Sequence, residues 1–197
     1  MSEEPRPLAS KIKITTNPET PGTSHKHVGF YRHYSSFVFK SLNKPTFQRF
    51  LQWMLKKENI QERKVTEVHV KVFPLRRGKG KGLAGNCNPA RGKIRIYPKT
   101  MTFCQAFKQK FGKNTFLAYA ASRARAALIH ELLHLKYATD EKRVRKLSRE
   151  YFFAFARRAL YRDRLSFLSY TMIFMVRQTK PFNHSNTNVA SALSIKL

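Results

Sequence analysis

The sequence predicts an α+β protein, a short antiparallel or mixed sheet packed on one long helix with further helices around it. Three observations carry this. Residues 65–73 alternate as a half-buried strand does, residues 116–138 run without Gly or Pro and are dominated by Ala and Leu, and two other stretches repeat apolar residues at steps of three and four. At 197 residues the chain is long enough for one domain with its own core, given roughly 100–200 residues per domain.

Residues 1–30 read as a flexible N-terminal arm. As far as His27 they are rich in Pro, Ser, Thr and Lys and show no apolar period, so they have little to offset the entropy of ordering. Residues 31–165 read as the single domain, and residues 166–197 as a C-terminal extension whose structure the pattern does not give. Within the domain, Asn43-Lys44-Pro45-Thr46 supplies a helix start, Pro being tolerated in the first turn. Phe47, Phe50, Leu51, Met54 and Leu55 then follow at helical spacing to about Asn59.

From Val65 to Phe73, Val68, Val70 and Val72 fall on one side and Glu67, His69 and Lys71 on the other, and Pro74 closes the strand. A basic, glycine-rich loop from Arg76 to Gly82 follows. Gly85-Asn86-Cys87-Asn88-Pro89 and a second short strand, Lys93 to Tyr97, then suggest a hairpin or short meander. After Lys113-Asn114-Thr115 comes the strongest helix, FLAYAASRARAALIHELLHLKYA. Thr139-Asp140-Glu141 opens another, with Val144, Leu147, Tyr151, Phe155 and Ala159 on its apolar stripe, reaching about Asp163.

Lys and Arg number 39 against 11 Asp and Glu, a net charge of +28. A field of that sign concentrates anions, so nucleic acid is a candidate partner through the basic surface. On the helix from Asp140, Lys142, Arg143, Arg145, Lys146 and Arg149 lie opposite the apolar stripe, as a solvated face or as phosphate contacts. Two cysteines, Cys87 and Cys104, are too few for a disulfide scaffold. The N-terminal residues carry Glu3 and Glu4 where a secretory signal is basic, and the expectation is an intracellular protein. The apolar stretch from Leu165 to Val176 is far shorter than the about 20 residues of a spanning helix, so no membrane span is expected. Nothing in the pattern sets an oligomeric state.

His130-Glu131-Leu132-Leu133-His134 is an HExxH motif inside the strongest helix. Residues four apart sit one turn above one another, so both imidazoles can grip a single cation, and the metal expected is zinc. Glu131 is the catalytic candidate, one residue on from a ligand and within reach of water at the ion. Catalytic zinc takes three protein ligands, so a third must come from elsewhere. Were the helix unbroken, Glu141 would stand about 10 Å further along the axis at 1.5 Å per residue. Ligation by Asp140 or Glu141 therefore needs the chain to fold back after Ala138, although no glycine marks a break. Asp140 is the favoured ligand, with helix capping as its other reading. Glu141, Glu150 and His69 are the alternatives.

The segment HELLHLKYATDEKRV resembles the active-site helix of zincin metallopeptidases, in particular small stand-alone SprT-like and WLM-type families and minimal gluzincins. In the first two the third ligand often falls six residues after the second His, the position of Asp140, where a His is more usual. Gluzincins use a downstream Glu, the role open to Glu141 or Glu150. The resemblance implies a zincin-like fold and a zinc metallopeptidase acting on a peptide or protein substrate. In such a reaction His130, His134 and Asp140 hold the metal and Glu131 relays the proton.

Lys93 to Tyr97, as an edge strand, would pair with an extended substrate. Tyr137 and Tyr151 are candidate oxyanion donors or core residues, and Cys87 a candidate inhibitory metal ligand or a small buried side chain. The alternative function is a basic nucleic-acid-binding protein with a structural or non-hydrolytic metal site.

Overall fold

Four short strands form one mixed sheet in the computed structural model, which describes residues 7–16, 25–75 and 83–160. They are β1 (Ile12–Thr15), β2 (Glu67–Lys71), β3 (Gly85–Asn88) and β4 (Lys93–Ile96), ordered β1-β2-β4-β3. The first three strands in that order run parallel, and β3 returns antiparallel to β4. Alternation explains the two faces. Val68, Val70, Ile94 and Ile96 are buried on one, while Glu67, His69, Lys71, Lys93 and Arg95 occupy the other. Gly92 turns the hairpin at φ 62°, and a Cβ there would lie 2.0 Å from the Lys64 carbonyl oxygen, so the close approach requires glycine.

Two expectations are corrected. Residues 8–16 belong to the fold rather than to a flexible arm: Leu8 and Ile12 are buried, and β1 pairs with β2 through Ile12, Lys13, Ile14 and Thr15. The four strand residues are too few to show an apolar period in the sequence. Likewise Lys93 to Tyr97 is not an edge strand, because β4 is hydrogen-bonded on both sides and β3 takes the edge.

The helices are α1 (His25–Leu42), α2 (Pro45–Lys57), α3 (Met101–Tyr137) and α4 (Glu141–Leu160). α2 has Pro45 in its first turn and buries Phe47, Phe50, Leu51, Met54 and Leu55 as its spacing predicts. α3 begins earlier than the pattern indicates. Thr100 caps it, accepting from the Phe103 N–H, and Gly112, at φ 82° and ψ 164°, breaks it before the long second stretch. That stretch is buried nearly all round from Tyr119 to Leu133, the mark of a central helix. α1 and α3 cover the apolar face of the sheet, and Phe155 of α4 packs edge-on against Phe47 of α2. The molecule is thus mixed α and β, with a small mixed sheet against a long central helix. No helix among the described residues is long and apolar enough to cross a membrane. The segment from Leu165 to Val176 lies outside the described residues.

Candidate metal centre

One turn of α3 presents His130 and His134 to the same side, with their Nε2 atoms 3.1 Å apart. The outer ring nitrogens are engaged elsewhere. His134 Nδ1–H donates to the Ala138 carbonyl oxygen at 2.5 Å. His130 Nδ1–H donates to Ser148 Oγ at 3.2 Å, since that hydroxyl spends its own proton on the Val144 carbonyl. A proton on each Nδ1 leaves each Nε2 with a lone pair, and two lone pairs so close repel unless a cation lies between them.

The third donor depends on the turn after α3. Ala138 adopts φ 44° and ψ −108°, a conformation that favours glycine, and closes the helix by donating its N–H to the His134 carbonyl. The chain reverses within three residues, and α4 starts at Glu141. Glu141 Oε2 then lies 3.4 Å from His134 Nε2, and Oε1 3.7 Å from His130 Nε2. Burial works against its ionised form. The Arg145 hydrogen bond at 2.6 Å and the surrounding positive groups outweigh that, holding its pKa below the usual glutamate value.

These separations suit a shared ion. Donors at 2.0–2.1 Å from one zinc in tetrahedral directions stand about 3.3 Å apart, and two imidazoles with one carboxylate are a donor set that catalytic zinc uses. Among the described residues, His130, His134 and Glu141 are the group whose donor atoms come together in this way. Asp140, the ligand favoured from spacing, is outside it. Its Oδ1 accepts from the Arg143 N–H at 3.0 Å, the capping role, because it is the last residue before α4. His69 is on the outer face of the sheet, bonded to Glu67 at 3.0 Å, and Glu150 is not in the group either.

Glu131 is buried, 6% exposed, on the side of α3 that faces β3. A Cβ on Gly85 would come within 2.7 Å of Glu131 Oε1, so the carboxylate rests where the edge strand has no side chain. The neighbouring Cys87 has its thiol pushed up to about 12 by burial and by the charge of Glu131, and it is not in the group of converging donors.

Tyr137 and Tyr151 turn away from the histidines. Both donate their hydroxyls to the carboxylate of Glu58, Tyr137 to Oε2 at 2.5 Å and Tyr151 to Oε1. Sequence reasoning missed Ser148, Gly85 and Glu58. A serine in a helix routinely bonds back to its own backbone, so nothing in the string marks Ser148 as a histidine partner. The chain matches no model of a known protein family, no curated protein and no solved structure.

Proposed function

We propose that this protein is a zinc-dependent metallopeptidase in which His130, His134 and Glu141 hold the ion and Glu131 is the general base. The observation that carries the reading is the set of donor separations, 3.1, 3.4 and 3.7 Å, with both Nδ1 atoms already committed to other acceptors. The ligand role passes to Glu141 from Asp140, whose carboxylate caps α4.

Zinc in such a site supplies a Lewis acid that polarises the scissile carbonyl and acidifies water. Glu131 takes the proton of the attacking water on a carboxylate oxygen and delivers it to the leaving amine. His130 and His134 move no proton; Ser148 and the Ala138 carbonyl fix their rings. β3 offers its outer backbone edge, beside Glu131, to an extended peptide that adds as a further strand.

Metal analysis of the purified protein beside Glu131→Gln tests this. The expected result is one zinc per chain in both proteins, and cleavage of an unfolded protein substrate that falls by about 10³-fold in the variant. Zinc in both with cleavage in neither would favour the rival, a basic nucleic-acid-binding protein with a non-hydrolytic metal. Absence of zinc from both, even after its addition, removes the metal centre itself.

A further inference from the structure

The sheet has a second face that no described helix covers, and its composition is one-sided. Lys13 of β1, Glu67, His69 and Lys71 of β2, Lys93 and Arg95 of β4, and Asn86 and Asn88 of β3 are brought together there by the strand register. Lys13, His69, Arg95 and Asn86 form one row across all four strands, with Glu67, Lys93 and Asn88 in the row beside it.

The single carboxylate of this face is already engaged. Glu67 pairs with Lys93 at 3.0 Å, with His69 at 3.0 Å and with Lys13 at 3.7 Å. Among the described residues neither Lys71 nor Arg95 has an acidic partner. They stand diagonally across β2 and β4, close enough that burial and then the Arg95 charge lower the Lys71 pKa. Like charges held this close are relieved by an anion placed over both.

The geometry points to a binding surface for the phosphate backbone of duplex nucleic acid on the open face of the sheet, with Lys13, Lys71 and Arg95 as its principal contacts. Charge complementarity is the first reason, since nucleic-acid interfaces are far more cationic than interfaces between proteins. A protein partner would meet a centre made only of charged and polar groups, where protein interfaces place apolar ones. Anionic lipid would find no apolar side chain among these eight residues to insert. No aromatic residue is among them to stack on unpaired bases, so the contact is with a duplex and insensitive to its sequence. Lys13 and Arg95 lie two strands apart, about 10 Å, far enough to engage separate phosphates of one backbone. The surface is on the opposite side of the sheet from α3, so it functions whether or not the metal centre hydrolyses peptides.

Binding of the full chain to a fluorescent random-sequence duplex, titrated by anisotropy at several salt concentrations, tests the inference. The variant Lys13→Gln/Lys71→Gln/Arg95→Gln is compared with Lys142→Gln/Lys146→Gln/Arg149→Gln, which removes the same charge from the exposed side of α4. The sheet variant is expected to lose about tenfold or more in affinity and to flatten the salt slope by about 2–3, while the α4 variant changes less than about threefold. Equal losses would assign binding to net charge alone and overturn the site, as would an unaffected sheet variant. Competition by anionic vesicles that the same three substitutions abolish would transfer the face to a membrane and overturn the nucleic-acid assignment. Should the triple variant fail to fold by circular dichroism, the exposed single substitution Arg95→Gln must still reduce the slope by about 1.

Discussion

A single methyl group tests where the carboxylate proposed as general base must lie. Gly85→Ala places a Cβ 2.7 Å from Glu131 Oε1 and 2.8 Å from its Cγ, so the side chain has to move. The expected outcome is a folded, zinc-loaded protein whose kcat/KM drops about 10²-fold, the scale of an ångström's displacement at a reacting group. Ala138 offers the opposite experiment. Its φ of 44° and ψ of −108° suit glycine, so Ala138→Gly should raise stability by about 1 kcal/mol in urea unfolding of the metal-free protein. The same residue explains what the sequence could and could not tell about the ligands. HExxH named His130 and His134 because spacing on a helix is enough to set them on one side, while Glu131, one residue on, faces β3. The choice between Asp140 and Glu141 turned on one backbone conformation at an alanine, and alanine carries no signal for it.

Between elements, the carboxylate of Glu58 at the end of α2 joins Tyr137 of α3 to Tyr151 of α4, and Lys136 donates to its backbone carbonyl at 2.6 Å. Tyr137 is three residues past His134 and Tyr151 three past Ser148, so this junction braces α3 one turn from His134 and α4 one turn from the serine that holds the His130 ring. Burial works to raise the Glu58 pKa, but the two phenols and Lys136 outweigh it and the net direction is downward. A carboxylate held below its unfolded value stabilises the fold fully above about pH 4.5, and that contribution is lost as pH falls through the lower native pKa. Glu58→Gln should therefore lower stability at neutral pH and flatten its acid dependence below that point, which denaturation at stepped pH would measure. An unchanged acid limb would remove Glu58 from this role.

Strong periods made some elements legible and weak ones hid others. β2 alternates cleanly, and α2 and α4 carry amphipathic stripes. α1 repeats Phe30, Tyr34, Val38 and Leu42 at steps of four, but its aromatic, Ser and Val content is poor in helix formers. The first part of α3 is masked by its polar residues and by the glycine that follows it.

For the molecule as a whole, the ion proposed for His130, His134 and Glu141 would bridge α3 and α4. Stripping it with a chelator should lower the thermal midpoint. At a free zinc concentration of 100 Kd the difference corresponds to about 2.7 kcal/mol, measurable by calorimetry before and after zinc is restored. The +28 charge gives no guide to the fold, because it constrains what approaches the surface rather than what packs beneath it.

The order in which the strands and α3 occur along the chain also sets a schedule for synthesis. β1, β2 and β4 leave the ribosome before α3, so their apolar side has only α1 to rest on, and β4 and β3 stay uncovered until that helix emerges. Sheet, central helix and candidate metal centre therefore mature late, and a nascent chain halted before residue 130 has neither a closed interior nor the two histidines of that centre.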